Sequence, residues 1–309
     1  MSGNGNSVIV GSHKASGVEG QVARGAYIFV LGSQGDWQVE QQLLSSTPSS
    51  NVDSKFGSSV SMSYGGDRVA IGASGDLTDG GAVHVFSRSS GVWTREALLN
   101  RDGPQEADQF GHSLALNAAG ERLLVGAPAS QSGSGTLTVF SRMQTEQGEW
   151  DWIEEAILST TTSQQLGLKL AVSSEGNRCI SGAKDSNGTG AAYIFSRSSV
   201  TGVWTEEARL TPSGATTGNH FGGQVAMSND GSRVLVGDFG HEGSAALAYI
   251  FQWGEQQGWV EETRITARDD EWELALQSIR EHPMRRGGAS HSKPSQLLST
   301  GAAPAKEMA

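Results

Sequence analysis

A period of about 55 residues runs through this chain, and it constrains the fold more than any other feature. Tryptophan marks it. Five segments read W-x-x-E-x-x-[LI], at residues 37–43, 93–99, 152–158, 204–210 and 259–265. A second series ends in Phe29, Phe86, Phe140, Phe195 and Phe251. A third places Gly11, Gly72, Gly126, Gly182 and Gly237 after short apolar runs. A fourth occurs four times: Phe56-Gly57, Phe110-Gly111, Leu166-Gly167 and Phe221-Gly222. Series that share one spacing identify tandem copies of a supersecondary unit. Such a unit cannot bury its faces alone and must stack on its neighbours.

Each repeat reads as four short strands. The first alternates from the Phe-Gly onward: Phe56, Ser58, Val60 and Met62 on one side, Gly57, Ser59, Ser61 and Ser63 on the other. Phe110, His112, Leu114 and Leu116 repeat the pattern. The second strand is apolar on both faces, as in Leu123-Leu124-Val125, and is expected to be covered on both. The third carries the aromatic pair. The fourth mixes Trp with Thr, Glu and Arg, which suits a solvent-facing outer edge blunted by charge. Turns of the form [SN]-x-x-G-x-R join strands one and two at Ser63, Asn117, Ser173 and Ser228. The fixed Gly there supplies a positive φ. Repeated four-stranded antiparallel units of this length are the mark of a β-propeller. The expected fold is all-β, with about five blades over residues 7–267. The first blade lacks its inner strand, because no Phe-Gly precedes Val8, so the ring is either imperfectly closed or part of a larger propeller. Residues 268–283 have helical spacing, with Trp272, Leu276 and Ile279 on one face and Pro283 as a stop. Residues 284–309 are small, polar and aperiodic and read as a disordered tail.

These motifs resemble the FG-GAP repeat, the blade unit of integrin α-subunit propellers and of many surface proteins. Phe56-Gly57 with Gly72-Ala73-Ser74, and Phe110-Gly111 with Gly126-Ala127-Pro128, carry the resemblance best. The match is closer to the simple non-integrin type and covers most of the chain. It implies an adhesion-type interaction module at the cell surface or outside the cell. The family often binds calcium through an acid-rich loop between the first two strands. Here those loops read SYGGDR, NAAGER, SSEGNR and SNDGSR, with one acid at most, so no calcium site and no other cofactor is expected.

Composition limits the partners. The chain carries 22 Lys and Arg against 33 Asp and Glu, a net charge of −11, which repels a nucleic-acid backbone. No apolar run spans a membrane, and the given N-terminus has no secretory pattern. The one cysteine, Cys179, falls within a second strand and is expected to be a buried small hydrophobe. Histidine is sparse and no nucleophile–base motif is present, so no catalytic residue is assigned. If a ligand face exists, propeller topology puts it on the loops at residues 74–80, 100–109, 127–135 and 211–220. Candidate residues there are Asp76, Asp79, Asp108 and His220, joined by Asp238, His241 and Glu242 on the loop after the second strand of the last repeat. The expected function is non-catalytic recognition of a protein or glycan, by a monomer or by a part of a larger propeller. Alternatives are a truncated piece of a larger surface protein without its own ligand, and a propeller-based hydrolase.

Overall fold

The computed structural model describes residues 1–13, 25–45, 54–76, 80–101, 108–162, 164–184, 188–213, 220–238 and 247–266. Residues 268–309, including the expected helix and tail, lie outside the described residues. Among the described residues nineteen strands form five antiparallel sheets, each in sequence order. Blade 1 has three strands: β1 (Ser7–Ser12), β2 (Gly25–Leu31) and β3 (Trp37–Leu43). Blade 2 is β4 (Phe56–Met62), β5 (Arg68–Ala73), β6 (Ala82–Ser89) and β7 (Val92–Leu99). Blade 3 is β8 (Ser113–Leu116), β9 (Arg122–Ala127), β10 (Thr136–Gln144) and β11 (Trp150–Leu158). Blade 4 is β12 (Lys169–Val172), β13 (Arg178–Ala183), β14 (Ala191–Arg197) and β15 (Trp204–Leu210). Blade 5 is β16 (Gln224–Met227), β17 (Arg233–Asp238), β18 (Leu247–Gly254) and β19 (Gly258–Thr266). Among the described residues no helix is long and apolar enough to cross a membrane.

The blades stack through their inner strands: β4 packs on β8, β8 on β12 and β12 on β16. The cores lie between blades. Ile9, Ile28 and Leu43 of blade 1 pack on Val69, Ile71, Phe86 and Trp93 of blade 2. Ile180, Ile194 and Leu210 of blade 4 pack on Val234, Val236 and Phe251 of blade 5. Blades 2, 3 and 4 thus each have an incoming face toward their predecessor and an outgoing face toward their successor. The inner turns are also stitched together by backbone hydrogen bonds. Gly3 N donates to Tyr64 O (2.8 Å), Tyr64 N to Ala118 O (3.0 Å), Ala118 N to Ser174 O (3.1 Å) and Ser174 N to Asn229 O (2.8 Å).

The Phe-Gly pair is not part of a smoothly alternating strand, as its sequence implies. β8, β12 and β16 begin after it, and in blade 2 the β4–β5 pairing slips between Phe56 and Ser59. The cause is the glycine, at φ +88, +85, +89 and +90 in Gly57, Gly111, Gly167 and Gly222, which reverses the chain locally. Phe110, Leu166 and Phe221 then form parallel bridges to Gly81, Gly135 and Gly190 of the preceding blade. The turned carbonyl lies against the glycine of the preceding second strand. A Cβ on Gly11, Gly72, Gly126 or Gly182 would meet the carbonyl oxygen of Gly57, Gly111, Gly167 or Gly222 within 2.1 Å. The two glycine series of the sequence are the two sides of one contact. Gly237 of blade 5 has no such neighbour; a Cβ there would first meet Gln224 at 3.4 Å.

Candidate functional site

Antiparallel order sorts the connections onto two ends of the propeller. The turns after first and third strands lie at one end, and the loops after second and fourth strands at the other. The turn end holds a feature absent from the sequence reading. In all five blades the pairing of third and fourth strands slips at one point, leaving Glu40, Glu96, Glu155, Glu207 or Glu262 as the extra residue of a bulge. These are the acids of W-x-x-E. Rather than blunting a solvent edge, four of them clamp the following blade. The Trp Nε1 of blade n + 1 donates to the Glu of blade n: Trp93 to Glu40 (2.8 Å), Trp152 to Glu96 (3.1 Å), Trp204 to Glu155 (3.2 Å) and Trp259 to Glu207 (2.9 Å).

Two arginines complete each full clamp. The turn arginine of the same blade donates through Nε: Arg68 to Glu96 (3.0 Å), Arg122 to Glu155 (3.1 Å) and Arg178 to Glu207 (2.9 Å). Its guanidinium also reaches a turn carbonyl of the next blade, as Arg68 Nη1 does to Gly120 O (3.0 Å). The arginine after the third strand of the next blade approaches from the other side: Arg88 to Glu40, Arg142 to Glu96 and Arg197 to Glu155. Burial by itself would raise the Glu96 carboxyl. Hydrogen bonds from Arg142 and Arg68 outweigh that and hold it below the usual carboxylate range. Glu155 is held down in the same way by Ser141, Arg197 and Arg122, against the same opposing burial. The clamps are structural. Glu262 of blade 5 meets Arg233 alone among these partners (3.0 Å), and both side chains are exposed.

At the loop end the candidate residues fall at separate blade junctions. Asp76, Asp108 and Asp238 are buried, not displayed to solvent. Asp76 Oδ2 stands 3.8 Å from His84 Nε2, Asp108 pairs with Arg101 (3.4 Å), and Asp238 ends β17 opposite Leu247. Burial first, and then the Asp238 charge, push the Tyr249 hydroxyl upward. His220 is exposed, but its left-handed φ of 55° recurs at Lys55 (52°), Gln109 (58°) and Gln165 (60°), each directly before the Phe-Gly or Leu-Gly pair. Its position is that of a repeated turn. Asp79, His241 and Glu242 lie outside the described residues. Among the described residues no three His, Cys, Asp or Glu side chains gather closely enough to hold an ion. Cys179 is fully buried, and that burial raises its thiol pKa.

His84 stands where other blades carry Tyr27, Thr138, Tyr193 and Tyr249. It is fully buried, edge-on to Phe56 (5.0 Å), with neither ring nitrogen hydrogen-bonded. Burial lowers its pKa to about 4, with Arg95 pushing the same way and Asp76 opposing.

The loop end also holds a cleft of about 770 Å³ between blades 3 and 4. Gln109, Ser132, Ser134, Thr161, Thr162, Gln164 and Gln165 supply its polar lining, and Pro128, Ala129 and Leu168 its apolar patches. None of its described lining residues is ionisable. Two of the loops that line it, 100–109 and 127–135, are among those the sequence assigns to a ligand face. The third, 158–168, was not among them, since its Gln and Thr carry no spacing that marks a site. At the opposite end a charged cleft of about 640 Å³ surrounds the Arg122–Glu155–Arg197 clamp.

Successive four-stranded antiparallel blades, stacked through their inner strands around a common hub, define a β-propeller. Residues 204–251 match the FG-GAP repeat family, so the chain carries a repeat of that family. The matched stretch runs from the outer strand of blade 4 into the third strand of blade 5, so it crosses from one blade to the next. No curated protein matches the chain. Similar solved structures include TolB from Acinetobacter baumannii, at 12% identity and a TM-score of 0.45, covering 85% of this chain and 54% of that one. The chain therefore spans about half the length of that protein. A putative TolB from Agrobacterium tumefaciens has 10% identity and a TM-score of 0.49, covering 86% and 79%. A putative 6-phosphogluconolactonase from Bacteroides fragilis has 13% identity and a TM-score of 0.43, covering 85% and 82%.

Proposed function

We propose that this propeller is a non-catalytic recognition module, and that its loop end takes an uncharged polar ligand, either a glycan or a Ser/Thr/Gln-rich protein segment. The observation that carries this is the 770 Å³ cleft, whose described lining is amides, hydroxyls and small apolar patches, with no acid, base or thiol among those residues. Such a surface can donate and accept hydrogen bonds to hydroxyl and amide groups. Among the described lining residues no group moves a proton near neutral pH, which general acid–base hydrolysis requires. Its size is that of a small-molecule or oligosaccharide site rather than of a broad flat interface. Family resemblance adds an adhesion role at the cell surface to this reading.

The test is a titration of the isotope-labelled protein with neutral oligosaccharides and with uncharged polar peptides, read by amide chemical shifts. Saturable shifts confined to Gln109, residues 128–134 and residues 161–168 support the reading, and loss of binding in Gln165→Ala locates it. Absence of shifts at millimolar ligand, or turnover of a glycoside or ester substrate, overturns it.

A further inference from the structure

We propose that the turn end of blade 3 docks a partner protein through a segment that carries lysine or arginine beside a leucine-type side chain. The site is the charged cleft around the Arg122–Glu155–Arg197 clamp, at the opposite end of the molecule from the uncharged cleft, and it goes beyond the loop-end reading. All of the turns at this end lie within the described residues.

The first observation is a break in the repeat. The paired Arg142 and Trp152 of blade 3 enclose nine residues, 143–151. The corresponding stretch holds four residues in blade 2 (89–92), six in blade 4 (198–203) and five in blades 1 and 5 (32–36 and 254–258). The extension is built structure. β10 and β11 run on to pair Gln144 with Trp150, Thr145 N donates to Glu149 O (2.7 Å), and Gly148 N donates to Thr145 O (2.9 Å). In tandem repeats an insertion within one unit maps to one face of the stack, often the face that binds.

The second observation is apolar exposure. Met143 is 53% exposed, Trp150 48% and Ile153 47%. Met143 and Ile153 lie diagonally on one side of the ribbon, the side of Ser141, whose hydroxyl donates to Glu155, and both line the cleft. At these two positions blade 2 carries Ser89 and Thr94, and blade 4 carries Ser198 and Thr205. The apolar pair is therefore particular to blade 3 among these neighbours, and the blade architecture does not require it. Trp150, on the other side of the ribbon, packs on the Arg142 guanidinium (4.1 Å) and stays half exposed.

The third observation is charge. The cleft is lined by Arg122, Arg142 and Arg197 and by Glu121, Glu154, Glu155 and Glu175. Its cations are committed: Arg122 and Arg197 pair with Glu155, and Arg142 pairs with Glu96. Glu121, Glu154 and Glu175 have no ion pair among the described residues. The extended hairpin adds Glu146, Glu149 and Asp151, all exposed. Acids without a cation thus accompany exposed apolar side chains at one cleft. Charge complementarity selects the occupant. A second copy of this acidic end, a nucleic acid or an anionic bilayer would each bring like charge. A segment with Lys or Arg for the acids and Leu or Ile for Met143 and Ile153 meets both demands.

The probe is the capped peptide KLRLK, titrated into the isotope-labelled full chain and read by amide chemical shifts. Two control peptides separate the contributions: KSRSK keeps the charge, and QLQLQ keeps the apolar side chains. The expected result is saturable shifts confined to residues 117–122, 141–155, 174–175 and 197 with KLRLK, and binding at least about tenfold weaker with either control. Met143→Ser with Ile153→Thr installs the side chains of the neighbouring blades at exposed positions. That double variant should keep its melting temperature and net charge and bind KLRLK about tenfold more weakly or worse. Four outcomes overturn the proposal. They are equal binding of KSRSK, which would reduce the effect to attraction by a chain of net charge −11; binding indifferent to the double substitution; no shifts at millimolar KLRLK; and shifts at these amides that grow with protein concentration alone, as a second copy would produce. None of these bears on the loop-end cleft, whose ligand perturbs Gln109, residues 128–134 and residues 161–168.

Discussion

Replacing Glu96 by alanine removes one carboxylate from between two blades and leaves three donors behind. Arg68 and Arg142 are both largely buried at that point, and the Trp152 Nε1 donor beside them loses its acceptor. Breaking a buried ion pair by deleting one partner costs about 3–5 kcal/mol, because the remaining charges stay desolvated. For a propeller of this size that is a fall in melting temperature of roughly 6–20 °C. The chain contains its own control. Glu262 occupies the same bulge in blade 5 but meets Arg233 in an exposed pair. Glu262→Ala should cost no more than about 1 kcal/mol. Glu96→Gln should fall between, since the amide oxygen still accepts from Trp152 but no longer neutralises two guanidinium groups. Chemical denaturation of all three variants, read by circular dichroism and Trp emission, gives the comparison. Equal losses for Glu96→Ala and Glu262→Ala would refute the clamp as the reason for W-x-x-E.

A second contrast uses the glycine contacts: Gly182→Ala puts a Cβ 1.9 Å from the Gly222 carbonyl oxygen and should destabilise strongly, whereas Gly237→Ala meets Gln224 at 3.4 Å and should change the melt little. Similar melts for the two would remove the glycine series from the explanation of blade spacing. Acid should act in two stages. His84 binds its proton in the unfolded chain near pH 6.5 but in the fold only near pH 4, so stability is complete above 6.5 and falls as pH drops toward 4, by about 3 kcal/mol. His84→Leu should flatten that slope, and an unchanged slope in this variant would assign it elsewhere. Glu96 and Glu155, whose folded pKa values lie below the ordinary range, hold their stabilisation above that range and lose it only as pH falls through the lowered values.

Among the described residues, the strand pattern, the blade repeat and the three-stranded first blade were legible because each rests on signals a few residues long. Alternation along β8, the double-faced apolar run of β9 and the turn around Gly120 are local. The Phe-Gly pair misled in one respect. Its alternation looks continuous with the strand, but the left-handed glycine separates the two, and no pattern of apolar residues reports a φ angle. Asp76, Asp108 and Asp238 misled in another. Loop position made them look displayed, while folding buries each beside a partner.

Sequence alone determined that this chain stacks ribbons of antiparallel strand, since period, turn chemistry and apolar pattern are properties of neighbours along the backbone. Tertiary structure decided what the recurring Glu, Trp and Arg are for. Glu and Trp meet across 49 to 56 positions, and the arginines join them across 28 to 48, where the packing of one blade on the next brings the indole and the second guanidinium to the carboxylate. The same packing decided which faces remain open. Among the described residues the end blades have one neighbour each, so Trp37 and Glu262 are exposed where Trp93, Trp152 and Trp204 and the clamped glutamates are covered.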